Sequence, residues 1–279
     1  MSQNPLQKYF RQPSIHLRLP SNGEFYTPEM LQLPPTNEVP VYPMTAIDEI
    51  TYKTPDALFN GSATVEVIKS CVPSFTDPWQ MLTIDLNTVL IAIRIASVGE
   101  TLEISSTCPK CQATADYEVD LHALIDKRPD IKKYHEVLKI GDLVLHFRPL
   151  TYFQANDNNL VRFEEQRLAK ILGTENMTED QKIHILSEIF KNIADFSIKA
   201  VTCSISAIDS SEGPVTDQTH ISEFLKNCER SVYENIKNHI VELRKMEDLD
   251  PLHIKCSDCG HEYEQPYAMD MTSFFDLGS

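Results

Sequence analysis

Residues 102–121 have the sequence LEISSTCPKCQATADYEVDL, in which a C-x-x-C motif lies between two segments of alternating apolar and polar residues. Such alternation is typical of β-strands, so this segment predicts a β-hairpin with Cys108 and Cys111 at its turn. A second hairpin of the same kind is predicted near residue 256, where LHIK and HEYEQPYAMD flank Cys256 and Cys259. The sequence therefore predicts two matching hairpins that are far apart along the chain.

These two cysteine pairs together predict one zinc site. A structural Zn²⁺ takes four soft ligands in a tetrahedron, and each C-x-x-C turn supplies two of them. Joined by the metal, the hairpins would form a zinc ribbon that is split by a long insertion. The insertion is no obstacle, because the entropic cost of closing a loop grows only logarithmically with its length. We predict a structural Zn²⁺ bound by Cys108, Cys111, Cys256 and Cys259.

Two other interpretations of the cysteine pairs stay open at this stage. The pairs could be unrelated buried thiols, although two identical spacings disfavour this. Alternatively, CPKC could be a redox pair, which requires its first cysteine at a helix N-terminus, whereas the residues after CPKC alternate like a strand.

The two histidines close to the second pair and the three other cysteines are predicted to play no part in metal binding. His253 and His261 lie close to the second pair, but four cysteines already fill a tetrahedron, so we interpret both histidines as bystanders. The remaining cysteines lie within apolar patterns and are predicted to be small core residues. They are Cys71, Cys203 and Cys228.

The composition is that of an acidic globular protein. The chain has 279 residues, with 25 Lys and Arg against 41 Asp and Glu, a formal net charge of −16. This balance disfavours nucleic acids and anionic membrane surfaces as partners, because both would repel the chain. The most apolar run, residues 89–98, contains Arg94, and the first residues lack the apolar core of a signal peptide. We therefore expect a soluble protein made in a cytoplasm, where most of its seven cysteines stay thiols.

The pattern of prolines and apolar residues predicts an α+β fold in five parts. Eight of the 17 prolines fall in the first 43 residues, which predicts an extended arm that lies either on its own domain or on a neighbour. The other parts are a helical region, the split zinc ribbon, an α+β insertion and an aromatic tail with Phe274, Phe275 and Leu277. Their bounds are 44–100, 101–120 with 251–268, 121–250 and 269–279.

Capping residues and apolar periodicity predict helices in the region before the first hairpin. Thr45 caps one helix, and a second, PDALFN, follows Thr54. A third starts at Ser62, and a fourth runs from about residue 85 to residue 97.

Within the insertion, a hairpin is predicted to turn at Gly141 and Asp142, followed by a long polar helix from Thr151 to about Leu172. A capping box at residues 178–181 predicts a helix with Ile185, Ile189 and Ile193 on one face. Residues 198–208 are expected to form a strand. Residues 221–245 are expected to form one long helix or two shorter ones, with Tyr233, Ile236, Ile240 and Leu243 on one face.

Sequence motifs of catalysis are missing. There is no GxxxxGK[ST] or GxGxxG phosphate loop, no HExxH and no GxSxG. A zinc ion with four cysteine ligands also has no open coordination position for water, so it stabilises rather than catalyses. We predict that the protein is not an enzyme.

Several stretches resemble one known family. LPSNGEFY at 19–26, PMTAIDE at 43–49, KTPDAL at 53–58 and the segment through CPKC at 93–111 are similar to the baseplate protein family of T4-like, contractile-tailed bacteriophages. The resemblance implies a non-enzymatic structural or assembly component of the baseplate, linked to its central hub. It implies no catalytic residues.

The same resemblance implies partners and a location. The partners would be other tail proteins, namely those of the hub, spike, tube or tape measure, in a symmetric assembly without nucleic acid or membrane. The location would be the cytoplasm of the infected host during assembly and then the virion tail. The alternative, from the zinc ribbon alone, is an adaptor that binds nucleic acid or transcription machinery.

Overall fold

A computed structural model describes residues 4–53, 61–127, 129–157, 179–267 and 274–275. Helices and strands occur in both halves of the chain, so the α+β class predicted from the sequence is confirmed. The chain divides into two compact units. The first comprises residues 1–130 and 247–279, and the second comprises residues 131–246.

The first unit contains three short antiparallel sheets and four helices among its described residues. Strands β1 and β2 pair with each other, as do β3 with β4 and β9 with β10. The strands are β1 (Ile15–Leu17), β2 (Val39–Val41), β3 (Thr101–Thr107), β4 (Thr114–Asp120), β9 (Leu252–Lys255) and β10 (Glu262–Gln265). The helices are α1 (Ala46–Tyr52), α2 (Ser62–Cys71), α3 (Thr83–Ser97) and α4 (Leu121–Asp126).

The core of the first unit is built around α3. Residues 89–93 of this helix are buried on every side, together with apolar residues of α2, of the strands and of the inner faces of both hairpins. Each large apolar side chain that is fully buried contributes about 1.5–3 kcal/mol. The proline-rich segment contributes Leu17, Leu19, Leu31 and Val39 to this same core, so residues 15–41 lie on their own domain.

The second unit is a four-stranded antiparallel sheet with helices. The strand order is β5-β6-β7-β8. The strands are β5 (Leu138–Ile140), β6 (Leu143–Phe147), β7 (Ile205–Ser210) and β8 (Gly213–Val215). The helices are α5 (Glu179–Ser204), α6 (Gln218–Asn227) and α7 (Arg230–Lys245). None of the helices in the described ranges combines the length and apolarity needed to cross a membrane.

Most predicted elements agree with the structure. Thr45 forms a full capping box with Asp48 at the start of α1, α3 begins two residues before the predicted start, and β5 and β6 join at Gly141. Residues 221–245 belong to two helices rather than one. The predicted helix PDALFN, residue Thr178, the end of the helix that begins after Thr151 and the tail residue Leu277 lie outside the described residues.

The strand predicted over residues 198–208 is wrong for most of its length, because α5 continues to Ser204 and only then does β7 begin. The hydroxyls of Thr202 and Ser204 donate to the carbonyls of Ile198 and Ala200, 2.7 and 3.0 Å away, and so bond within the helix. The Arg244 guanidinium donates to the same Ala200 carbonyl and to the Ser204 hydroxyl. These contacts override the strand preference of β-branched residues.

Candidate metal centre

The turns of the two cysteine hairpins are built alike. In each, the amide of the first cysteine donates to the carbonyl five residues later, and the residue after the second cysteine donates back to the first cysteine's carbonyl. The four distances are 2.9 Å for Cys108 to Ala113, 2.9 Å for Gln112 to Cys108, 2.9 Å for Cys256 to His261 and 3.0 Å for Gly260 to Cys256. Both turns therefore hold their two sulfur atoms on the same side.

The residue after the second cysteine is left-handed in both turns. Gly260 has φ of 67°, which suits glycine, and Gln112 has φ of 61° despite its side chain. The side-chain amide of Gln112 donates to the Pro109 carbonyl at 3.2 Å, and this hydrogen bond offsets part of the backbone strain. The absence of glycine from the first turn therefore leaves the turn's conformation unchanged.

The structure brings the four predicted ligands into one cluster. The sulfurs of Cys108, Cys111, Cys256 and Cys259 all lie within 4.8 Å of one another, an arrangement that can hold a metal ion. Across the two hairpins, Cys108 Sγ lies 3.8 Å from Cys259 Sγ, and Cys111 Sγ lies 3.6 Å from Cys256 Sγ. A tetrahedron with Zn–S bonds of about 2.3 Å has edges of about 3.8 Å, so the donor set fits a zinc ion.

Burial of the sulfurs is unequal. Cys108 and Cys256, the first cysteine of each turn, are buried, whereas Cys111 and Cys259 are exposed. None of the four forms a disulfide bond. A metal ion in the cluster would thus be shielded by the hairpins on one side only.

Without a metal, the thiols differ strongly in acidity. The backbone amide of Cys259 is the main cause that lowers the pKa of Cys256 to about 7. The Ala113 backbone lowers the pKa of Cys111, but the neighbouring thiols and desolvation together raise it to about 12. Each further thiolate is disfavoured by those already present, and a divalent cation would remove that penalty.

A hydrogen bond joins the two hairpins close to the cluster. The hydroxyls of Ser106 in β3 and Tyr263 in β10 lie 2.8 Å apart, and Ser106 is buried. The His261 ring stacks on Tyr263 with centroids 6.1 Å apart, and His253 Nδ1 lies 3.6 Å from the Glu264 carboxylate. The imidazoles of both histidines therefore contact groups other than the sulfurs.

The other three cysteines lie away from the cluster. Cys71 is fully buried at the end of α2, where burial raises its pKa to about 12, so it remains a neutral thiol. Cys203 and Cys228 in the second unit are half-buried, and desolvation raises the pKa of each. None of the three is in reach of a metal held by the paired cysteines.

Sequence reasoning missed a buried carboxyl group that fixes the proline-rich segment. Asp85 in α3 is completely buried and accepts hydrogen bonds from the Ser21 amide and the Tyr26 hydroxyl, each at 2.8 Å. The Tyr26 hydroxyl in turn accepts from the Leu82 amide at 2.8 Å. The available signal was an aspartate next to the apolar stripe of α3, beside Leu86 and Val89.

A second missed contact holds the aromatic tail. Arg94 in α3 is buried, donates to the Phe274 carbonyl and lies 5.4 Å from the centre of the Phe274 ring. Phe275 packs edge-on against Tyr52, with centroids 4.8 Å apart. Phe274 and Phe275 are therefore buried in the first unit rather than offered to a neighbour.

The fold and the cluster define an α+β protein whose two distant hairpins meet at a four-thiol centre. The family model described as T4 bacteriophage base plate protein matches residues 14–276, which is nearly the whole chain. The chain belongs to this family of phage baseplate proteins, and the resemblance found in the sequence is confirmed. No curated protein and no solved structure matches the chain.

Membership in this family bears directly on function. The protein is a structural component of a phage baseplate, it associates with other tail proteins, and its place is the virion tail. These consequences come from the family.

Proposed function

We propose that this protein is a non-enzymatic component of the hub region of a contractile-tail baseplate, stabilised by one structural Zn²⁺. The observation that carries the metal assignment is the meeting of four sulfurs from two sequence-distant turns within 4.8 Å. Four thiolates suit Zn²⁺ and leave it no open position for water. The metal would then supply stability and no reaction chemistry.

In this proposal, zinc clamps the two ends of the insertion. Cys111 and Cys256 are 145 positions apart in the sequence, yet their sulfurs lie 3.6 Å apart. The ends of the insertion also meet directly, since the Lys127 ammonium lies 3.2 Å from the Asp250 carboxylate. Bound zinc would turn two separate hairpins into one split zinc ribbon, formed by residues 101–120 and 251–268. The insertion would begin and end at this ribbon.

The zinc proposal is tested by metal analysis of freshly purified protein. One zinc per chain is expected for the wild type, and a Cys108→Ser, Cys256→Ser double variant should lose it and become markedly less stable. Structural zinc sites contribute about 10–16 kcal/mol of apparent binding free energy in small peptides. Cys228→Ser is the matched control, because this cysteine lies outside the cluster. Wild-type protein without any bound metal would overturn the proposal.

The place in the tail is tested by quantitative mass spectrometry of purified virions and of unassembled tail intermediates. A few fixed copies per virion, found in baseplates that retain the central hub, would support a permanent hub subunit. Abundance in intermediates together with absence from virions would make the protein an assembly factor. Absence from both would contradict the proposed role.

A further inference from the structure

An exposed apolar segment of the described chain lies close to the amino end. Residues 7–9 form a single 3-10 turn in which no residue is buried. Leu6, Tyr9 and Phe10 expose 60%, 72% and 56% of their surface. Large apolar side chains grouped in this way on a surface mark an interaction site.

The turn is held by its own hydrogen bonds. The amide of Tyr9 donates to the Leu6 carbonyl at 2.9 Å, and the amide of Phe10 donates to the Gln7 carbonyl at 3.1 Å. The Leu6 amide donates to the Asn4 side chain at 3.0 Å. The turn thus keeps its shape without burying its apolar side chains in the first unit.

The residue after the turn fixes its position. The Arg11 guanidinium donates to the Pro43 carbonyl, pairs with Asp48 at 3.2 Å and bonds both the carbonyl and the hydroxyl of Ser70. These contacts hold the residue that follows the 3-10 turn beside the amino end of α1, where Asp48 is the neighbour of Ile47. Ile47 exposes 75% of its surface.

The negative charge of the first unit favours a partner with a basic surface over a second copy of this chain. This unit has 10 basic and 24 acidic residues, a net charge of −14, whereas the second unit has 15 and 17, a net charge of −2. A second copy would bring the same strongly acidic unit to the contact and would be repelled. The turn itself carries one charge, that of Lys8, so the contact with it must be largely apolar.

The family match covers residues 14–276, so residues 4–10 lie outside the matched range. We infer that residues 4–10 dock, with Ile47 beside them, into an apolar groove on a different tail protein, and that lysines and arginines border this groove. This inference rests on the proposed function, since it takes the partner from within the tail. It assigns partner binding to the turn, whereas Leu17, Leu19, Leu31 and Val39 of the proline-rich segment belong to the core.

Complementation tests the docking. A phage that lacks this protein is supplied with the wild type, with the Leu6→Ser, Tyr9→Ser, Phe10→Ser triple variant, or with a Val137→Ser, Val241→Ser control in the second unit. The triple variant should keep the wild-type melting temperature and metal content, because the turn buries nothing. Its amount in purified baseplates should fall at least tenfold, while the control stays at the wild-type level.

The outcomes separate the two proposals. Equal incorporation of wild type and triple variant would overturn the docking inference and leave the proposed function standing. Absence of the wild type from baseplates and from intermediates would overturn the proposed function, and the inference with it.

Photo-crosslinking identifies the occupant of the docking surface. Benzoylphenylalanine replaces Tyr9, or Val241 as the control, in the full chain within tail intermediates. A crosslink from position 9 to an apolar, Lys- or Arg-flanked peptide of another tail protein would support the inference. A crosslink to a second copy of this chain, or a yield no higher than at position 241, would overturn it.

Discussion

At the scale of the single residue, the carboxyl group of Asp85 is completely buried and joins α3 to the proline-rich segment through hydrogen bonds from Ser21 and Tyr26. Desolvation raises its pKa from 3.8 to about 6, although the hydrogen bonds from Ser21 and Tyr26 oppose this shift. The folded state therefore binds more protons than the unfolded state between about pH 4 and 6. This group therefore raises the free energy of unfolding as the pH falls through that window. The added stability is lost as the pH rises through 6.

The test is to replace Asp85 by asparagine and to measure the free energy of unfolding in urea at pH 7 and pH 5. The wild type should gain about 1 kcal/mol from this group between the two values, out of a full effect of about 3 kcal/mol. The Asp85→Asn variant should lack the gain. Asp142→Asn, at an exposed hairpin turn, is the control and should keep the wild-type difference. An identical pH dependence in wild type and Asp85→Asn would refute this account.

The two cysteine turns allow a second prediction for single residues. A Cβ at Gly260 would meet no atom within 4 Å, so Gly260→Ala adds only the strain of a left-handed backbone, about 1 kcal/mol. We expect its melting temperature to fall by about 2–4 °C. Gln112→Gly relieves similar strain, but it loses the bond to Pro109 and makes the unfolded chain more flexible, so its melting temperature should hardly change. Scanning calorimetry of the metal-loaded variants measures both, and equal effects would contradict the argument.

At the scale of elements, the two hairpins differ in the charges on their exposed faces. In β9 and β10, Lys255 lies opposite Glu262 with the ammonium 3.1 Å from the carboxylate. In β3 and β4, Glu103 lies directly opposite Glu118, and like charges in such a pair are destabilising. The first hairpin thus tolerates a repulsion that the second hairpin avoids.

Neutralising one member of each pair should therefore have opposite effects. Glu118→Gln removes the repulsion and should raise the melting temperature by about 1 °C, whereas Glu262→Gln removes an attraction and should lower it by a similar amount. Because both side chains are exposed, each difference should shrink in 1 M salt. Thermal unfolding at low and high salt checks this, and a shift of the same sign in both variants would be inconsistent with it.

Elements with a strong local pattern could be predicted from the sequence, and the exceptions have physical causes. The alternation around each C-x-x-C pair, the helix cap at Thr45 and the hairpin turn at Gly141 are local signals, and the structure bears them out. Residues 198–204 have a strand-like composition, but contacts with Arg244, 40 or more positions away, stabilise a helix. The same distinction between local and long-range signals applies to the candidate metal centre and to the buried polar contacts. The four cysteines were visible from spacing, whereas the partners of Asp85 and Arg94 depend on tertiary packing.

At the scale of the whole molecule, metal binding should couple to pH. Cysteine must lose its proton to bind zinc, so metal uptake releases protons, and affinity falls as the pH falls. With the pKa of Cys256 near 7 and that of Cys111 near 12, uptake at pH 7 should release more than one proton per ion. Calorimetric titration of apo protein with Zn²⁺ in buffers of different ionisation enthalpy measures this number. Uptake without proton release would argue against thiolate ligands.

Because the chain divides into two compact units, we expect that it can be cut at the boundaries between them. Residues 127 and 250 lie at those boundaries on the side of the first unit, and their salt bridge of 3.2 Å shows that the two ends of the insertion meet. A short Gly/Ser linker in place of residues 131–246 would close a small gap, at an entropic cost that depends only weakly on its length. We expect the shortened protein to fold and to bind one zinc ion.

The isolated second unit, residues 131–246, should fold without metal, because none of the four clustered cysteines belongs to it. A chelator should lower the melting temperature of the shortened protein strongly and leave that of the isolated second unit unchanged. In the full chain it should separate one melting transition into two, because only the first unit loses its clamp. Scanning calorimetry with and without chelator decides the matter. A shortened protein that fails to fold even with zinc would mean that the insertion is an integral part of the fold rather than an addition to the ribbon.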